Sequence, residues 1–260
     1  MGLAAPVTRV VLVTGGNRGI GRAIAEAFAG GGAAVCISGR DEAALAEAER
    51  ALLAAGATVA AVPADVSRPE DVERLVAAAE ELGPLDAVVN NAAAAGATAP
   101  LHEFPVDDFE ATLATNLTGP FLVCRRALPG MIERRAGAIV NIGSIAGVRG
   151  YPLRSPYAAS KWGLVGLTKT LAGEVGPHGI RVNLVAPGPT RGDRAESVIR
   201  KRAAALGRPF EELEREFRES IPLRRFVEPA EVAAAVVFLC SPAASGITGQ
   251  SFCVSGGIEA

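Results

Sequence analysis

Tyr157 and Lys161, four residues apart in "YAASK", form the strongest chemical pair in the sequence. On a helix an i,i+4 pair shares one face. A free phenol, with a pKa of about 10, is a poor acid–base group at neutral pH. An ammonium beside it favours the phenolate and brings proton transfer within reach. Upstream, Ser144 follows the apolar run "GAIVNIG" (137–143), where a hydroxyl can orient a carbonyl oxygen. Taken singly, a Tyr and a Lys on a helix are usually surface residues. The combination gains its meaning from a third element, the glycine loop "TGGNRGIG" (14–21), with Gly15, Gly19 and Gly21 in a G-x-x-x-G-x-G spacing. Such a loop gives a tight turn, lets backbone approach a pyrophosphate, and aims a helix N-terminus at negative charge.

These groups need a scaffold that brings strand ends together. Seven short runs read as strands: "RVVLVT" (9–14), "AAVCIS" (33–38), "ATVAAVPA" (57–64), "LDAVVN" (85–90), "GAIVNIG" (137–143), "IRVNLVA" (180–186) and "SFCV" (251–254). Most are apolar without alternation, as expected of strands covered by helices on both faces. Alanine-rich helical patterns separate them. The alternation predicts an α/β fold: a Rossmann-like, doubly wound sheet of about seven parallel strands flanked by helices, in one domain over 1–260. Ligands of such a sheet sit at the carboxyl ends of its strands. The long charged stretch from Thr190 to Arg225 reads as a pair of helices, solvated on charge alone.

The 260 residues carry 26 Lys+Arg against 28 Asp+Glu, so no basic field calls for nucleic acid and no dense Lys/Arg run calls for an anionic membrane. Arg9 interrupts the N-terminal stretch before any signal-peptide core forms, so no leader is expected. The longest uncharged run, Val232 to Ile258, is broken by "SPAASGITGQ" and reads as a buried helix, a turn and a buried strand. Cys36, Cys124, Cys240 and Cys253 are far apart with no C-x-x-C pair, which predicts free thiols, a cytoplasmic location and no metal site. His102 and His178 lack ligand spacing, and His178 in "GPHGI" reads as a turn residue.

On "TGGNRGIG", "NNAA" (90–93) and "YAASK", the sequence resembles the short-chain dehydrogenase/reductase family, in particular its 3-oxoacyl-type ketoreductases, over nearly the whole chain. The resemblance implies that Ser144 and Tyr157 bind the substrate oxygen, and that Lys161 tunes Tyr157 and holds the nicotinamide ribose. Asn116, in "LATNLTGPF", matches the family's helix Asn, which holds a water relaying protons to the Lys. Read on its own, Asn116 is a helix-interior polar residue bonded to backbone. For the cofactor, the resemblance implies Gly15, Asn17, Arg18, Gly19, Ile20 and Gly21 in the loop, and Ser38 and Arg40 at the second strand's end. Asp65 and Val66 then line the adenine pocket, Asn91 and Ala92 the adenosine side, with Ala93 beside the cofactor, and Pro187, Gly188 and Thr190 of "VAPGPT" the nicotinamide end. Two departures stand out: Ala93 replaces the family's Gly, and Gly192 stands where many members have a Thr that helps hold the carboxamide. The stretch 190–225 resembles the family's substrate-capping insertion. Arg149, Arg154, Arg191 and Arg194 could reach an anionic substrate group from there, although on charge alone each reads as a surface residue.

The end of the second strand bears on cofactor choice. NAD-using relatives carry an acid there that accepts from the ribose 2′-hydroxyl. Here the position is Gly39, followed by Arg40, with Arg18 across the crevice. Two guanidiniums fit a 2′-phosphate dianion and predict NADP(H) over NAD(H). On the plainer reading Arg40 only begins the next helix as a surface charge, with Asp41 as its N-cap. An inward-turned Asp41 would instead supply the missing acid. The expected activity is reduction of a small-molecule ketone. The alternatives are an NAD-dependent alcohol or sugar dehydrogenase and a protein that senses the dinucleotide without turnover. The family pairs the "YAASK" helix across a two-fold, and Ala159, Gly163 and Gly166 leave room for close approach, so a homo-oligomer, a tetramer, is expected.

Overall fold

The computed structural model describes residues 10–258. Arg9, at the head of the expected first strand and of the leader reading, lies outside the described residues. The seven expected strands form: β1 (Val10–Val13), β2 (Ala34–Gly39), β3 (Val59–Pro63), β4 (Ala87–Asn90), β5 (Gly137–Ile142), β6 (Ile180–Pro187) and β7 (Ser251–Val254). All are parallel, in the order β3-β2-β1-β4-β5-β6-β7. The order reverses between β1 and β4, which opens a crevice at their carboxyl ends.

Helices α1 (Gly19–Gly30), α2 (Glu42–Ala54), α3 (Pro69–Glu81), α4 (Val106–Leu113), α5 (Gly119–Arg134), α6 (Ser155–Val175) and α9 (Pro229–Cys240) surround the sheet, and α7 (Asp193–Leu206) and α8 (Phe210–Ser220) follow β6. Successive strand residues point to opposite faces, which is why uninterrupted apolar runs suit strands covered on both sides. On one face Val11, Val13, Val35, Ile37 and Val140 meet Ile24 and Phe28 of α1, Leu45 of α2, and Val236 and Leu239 of α9. On the other, Leu12, Val88, Ile139 and Val182 meet Leu75 of α3, Val123 of α5 and Leu171 of α6. Each such Leu or Ile, fully buried, contributes roughly 1.5–3 kcal/mol of transfer free energy.

Two features depart from the sequence-based expectation. The last strand is not buried: β7 is the sheet edge, and Phe252 (36% exposed) and Cys253 face outward. Nor are α7 and α8 a merely solvated pair. Their inner sides place Ile199, Ala203 and Leu213 against Ile145, Ile221 and Phe226, so the capping segment rests on the turn next to Ser144. The charged residues of "ESVIRKRAAALGRPFEELEREFRES" take the outer side, where Arg208 pairs with Glu212 and Glu216.

Candidate active site

At the crevice the chain turns sharply out of β1. Gly15 and Gly19 have φ of 63° and 54°, values that favour glycine. A side chain on Gly21 would come within 2.1 Å of the Gly15 carbonyl oxygen and 2.4 Å of Asn91 Nδ2, so only hydrogen fits. Asn91 holds the loop from the β4 side: its Nδ2 donates to the carbonyls of Thr14 and Gly15, both at 3.0 Å. Thr14 Oγ1 in turn accepts from the backbone N–H groups of Asn91 and Ala92. Helix α1 then starts at the crevice with no side chain capping it. Its first N–H groups have no partner within the helix and are free to meet an anion.

A nicotinamide dinucleotide fits these residues. The glycine cradle and uncapped α1 suit the pyrophosphate, and the space beside Gly19 is open. The end of β2 carries Ser38, whose buried Oγ has no partner, then Gly39 and exposed Arg40. Arg40 reaches Asp65 at 3.5 Å, and Asp65 also accepts from Ser67 N and Oγ. Burial would raise the Asp65 carboxyl, but those hydrogen bonds and the Arg40 charge hold it below its ordinary value. Asp41 does not turn inward: its carboxylate caps α2 by accepting from Ala44 N at 3.1 Å. Gly39 packs tightly, because a Cβ there would lie 2.7 Å from Asn17 Cγ. Val66 lies on the same side, against Gly119 of α5.

Ser144 follows β5 at the head of a short turn (Ile145–Gly147), where its Oγ accepts from Ala146 N at 3.1 Å. Gly147 presses this turn onto α6; a Cβ would fall 2.7 Å from the Lys161 carbonyl oxygen. Tyr157 and Lys161 stand on the first two turns of α6. Lys161 is buried and its Nζ donates to the Ile142 carbonyl at 2.7 Å, while Nζ lies 5.8 Å from the Tyr157 ring centre. Burial would raise the phenol of half-buried Tyr157. The charges of Lys161 and Arg194, a hydrogen bond with Ser144 and the Arg154 charge outweigh it and bring the phenol below 10. Burial likewise lowers the Lys161 ammonium, and the Tyr157 oxygen works against that. Ser144, Tyr157 and Lys161 therefore converge as one hydrogen-bonded and charge-coupled group.

Asn116 sits in a π-helical turn (Ala114–Thr118) between α4 and α5 and is fully buried. Its side chain is wholly committed: Oδ1 accepts from Ala94 N at 2.7 Å, and Nδ2 donates to Ala94 O and Ser160 Oγ, both at 3.0 Å. Ser160 Oγ donates onward to the Tyr157 carbonyl at 2.7 Å. Asn116 thus clamps the loop after β4 to α6. Pro187 and Gly188 close the crevice from β6, and Thr190 Oγ1 donates back to the Gly188 carbonyl at 3.0 Å. Gly192 has a φ of 134°, a backbone conformation that favours glycine.

Several residues matter here through contacts that no motif announces. Asn90 Nδ2 donates to Asn141 Oδ1 at 2.8 Å, and Asn141 Nδ2 to Thr168 Oγ1 at 2.9 Å, a buried chain tying β4, β5 and α6 together. The arginines divide sharply. Arg191 pairs with Glu228 at 2.7 Å on the surface, and Arg149 donates to the Ile258 carbonyl at 3.3 Å. Arg154, read from its charge as a surface residue, is instead only 4% exposed and lies 5.1 Å over the Tyr157 ring. It is placed there because Leu153 adopts a left-handed φ of 69° and turns the chain into α6. Arg194, at the start of α7, lies 5.9 Å from the same ring.

A family model described as enoyl-(acyl carrier protein) reductase matches residues 15–259. The chain is 41% identical over 255 residues to the 3-oxoacyl-(acyl-carrier-protein) reductase FabG of Aquifex aeolicus, covering 96% of this chain and 97% of that one. Among solved structures it is similar to an NAD+-bound xylitol dehydrogenase, with a TM-score of 0.93 at 32% identity over 96% of this chain and 98% of the other. An actinorhodin polyketide ketoreductase variant with NADPH gives a TM-score of 0.93 at 36% identity, over 98% and 99%.

Proposed function

The chain belongs to the short-chain dehydrogenase/reductase family, oxidoreductases of carbonyl and alcohol groups, and from that premise we propose that it is an NADP(H)-dependent ketoreductase. The observation that carries the reading is the convergence of Ser144, Tyr157 and Lys161 beside a crevice where the end of β2 carries Arg40 and Asp41 turns away to cap α2.

The bound dinucleotide supplies the hydride; the chain supplies position and the proton. Ser144 Oγ and the Tyr157 hydroxyl hold the substrate oxygen, and Tyr157 donates its proton as negative charge develops there. Lys161 stabilises the resulting phenolate and holds the nicotinamide ribose. Asn116 acts as a positioning residue, because its amide is spent on Ala94 and Ser160 and leaves only its main chain to hold a relay water. Glycines 15, 19 and 21, with Asn17, Ile20, Asn91 and Ala92, receive the pyrophosphate and adenosine; Ala93, Pro187, Gly188 and Thr190 bound the nicotinamide end. Residues 190–225 act as a lid within the same domain. An NAD-dependent polyol or alcohol dehydrogenase is the second reading, favoured by the likeness to the NAD+-bound xylitol dehydrogenase.

The pH dependence follows from the state Tyr157 must occupy. Reduction needs the neutral phenol, so its kcat/KM is expected to be level at lower pH and to fall as pH rises through the Tyr157 pKa. Oxidation of the product alcohol needs the phenolate and is expected to rise through the same value. Since the cationic surroundings place that value below 10, both limbs are expected below pH 10. Profiles taken in both directions check this. Limbs centred at or above 10, or of the same sign, contradict it.

Assembly follows from exposed apolar surface. On α6, Ala159, Trp162 and Gly166 lie on one outward face; Trp162 is 50% exposed and Phe121 of the neighbouring α5 is 46% exposed. Gly163 does not serve this face, since its missing side chain makes room for Leu117 within the chain. A second apolar surface surrounds β7, with Phe238 at 44% and Phe252 at 36%. Two separate exposed apolar surfaces suit a tetramer with two kinds of two-fold contact. Light scattering at micromolar concentration is expected to give about four times the chain mass of 26.5 kDa. A single-chain mass contradicts it.

A further inference from the structure

The substrate side of the site holds more positive charge than its proton chemistry uses. Around the two tyrosines stand Lys161, Arg154 and Arg194, at 5.8, 5.1 and 5.9 Å from the Tyr157 ring centre, and Arg202, at 6.0 Å from that of Tyr151. Among the described residues, no carboxylate forms an ion pair with Arg154, Arg194 or Arg202, although twelve arginine–carboxylate pairs occur elsewhere. A Tyr157 phenolate offsets at most one of these four charges, and only during turnover.

Arg154 is the most informative of them. A buried guanidinium without a counter-ion is costly, and such groups are normally paired. Arg154 has five N–H donors; one hydrogen bond runs from Nη2 to the Ala95 carbonyl at 2.6 Å, and Nε is buried with no partner at all. Burial lowers its affinity for the proton, with Arg194 and Arg202 adding to the effect. A purely structural staple to Ala95 would not require a guanidinium face against the Tyr157 ring, nor a second and third arginine closing in from α7. Two acidic residues of this region are engaged by other arginines: Glu196 pairs with Arg200, and Glu228 with Arg191.

We propose that the substrate carries a small oxyanion (a carboxylate, sulfonate or phosphate) a short spacer from its carbonyl, held by Arg154 at the head of α6 and Arg194 from the lid. This rests on the ketoreductase reading for the carbonyl, and it assigns a specificity role to two residues outside the Ser–Tyr–Lys group. Fork-shaped guanidinium donors suit all three anions, and a charge seated partly on α7 ties substrate binding to the position of the lid.

The test separates anion binding from turnover. Butyrate, propane-1-sulfonate and propyl phosphate, with 1-butanol as the neutral control, are titrated by calorimetry into the full chain with NADP+ present. At least one anion is expected to bind more tightly than butanol and to weaken with added salt. Arg194→Gln, on an exposed part of the lid, is expected to weaken it roughly 10-fold or more, the equivalent of about 1.4 kcal/mol. Arg154→Lys, which keeps the charge but loses the fork, should weaken it as well, and the best of the three anions identifies the group. In turnover, 4-oxopentanoate should exceed its amide in kcat/KM, with Arg194→Gln shrinking that ratio. Anions that bind no better than butanol, or anion binding unmoved by both arginine variants, overturn the proposal. A chain that reduces the acid and the amide equally well refutes the anion site alone. A chain that holds the anion yet reduces no ketone refutes the ketoreductase reading and leaves the anion site standing.

Discussion

Tyr157→Phe is expected to lower kcat for ketone reduction by roughly 100- to 10,000-fold, the range over which a positioned proton donor contributes. The phenylalanine keeps the ring and its contacts with Arg154 and Lys161, and removes only the hydroxyl that Ser144 meets. Cofactor affinity should therefore stay within a few-fold, measured by NADPH fluorescence titration. Lys161→Ala is expected to differ in kind. Its Nζ donates to the Ile142 carbonyl and lies beside the phenol, so its loss should harm turnover and, through the ribose contact, cofactor binding. The contrast between the two variants matters more than either number. If both lose cofactor binding alike, the site has lost its shape and the proton assignment gains no support.

The second large effect concerns the dinucleotide. Wild type is expected to prefer NADPH over NADH by roughly 10- to 1,000-fold in kcat/KM, since two charge-assisted contacts at about 1.5–3 kcal/mol each, trimmed by solvent, give that span. Arg18 and Arg40 are exposed on either side of the crevice, and Asp41 is occupied in capping α2. Arg40 lies 3.5 Å from Asp65, which also accepts from Ser67, so a 2′-phosphate must compete with that carboxylate for the guanidinium. Arg40→Ala and Arg18→Ala should each shrink the ratio, and the double variant should shrink it most. Installing an acid by Gly39→Asp is a less clean experiment, because the new side chain must displace Asn17, 2.7 Å from the added Cβ. The full reversal to NADH is thus expected from Gly39→Asp combined with Arg40→Ala, with an additional loss of overall rate. A wild type that favours NADH, or a ratio unmoved by removal of both arginines, contradicts the NADP(H) reading.

The seven strands were legible because parallel strands buried on both faces leave long apolar runs between helical patterns, and "VVLV" and "AVVN" are runs of that kind. The Tyr157–Lys161 pair was legible through its spacing together with Ser144 and the glycine loop upstream, and that loop through the backbone geometry it must adopt. Burial of polar residues was far less so. Arg154 in "YPLRSP" looks like any surface arginine; only the left-handed turn at Leu153 and the packing of the loop after β4 place it inside. Asn90 and Asn141 look like ordinary strand ends until the register pairs them side by side. The π-helical turn at Asn116 has no pattern of its own, since it arises where a helix start must also let one amide reach Ala94 and Ser160. The lid misled in the opposite sense: its charges dominate the composition, and the stripe of Ile199, Ala203 and Leu213 that binds it to Ile145 is thin. Position in the sheet order, which sequence does not give, made β7 an exposed edge.

The central claim is that Tyr157 and its neighbours support hydride transfer from NADPH to a ketone carbon. The direct measurement uses NADPH deuterated at the nicotinamide C4, in each face-labelled form, with a panel of acyclic, cyclic and 3-oxoacyl thioester ketones. Mass spectrometry then follows deuterium into the alcohol product. Wild type is expected to place deuterium from one face only on the carbinol carbon of at least one ketone, and Tyr157→Phe to do so at a small fraction of that rate while still binding NADPH. Deuterium reaching no ketone in the panel, or reaching it equally fast in Tyr157→Phe, would contradict the account.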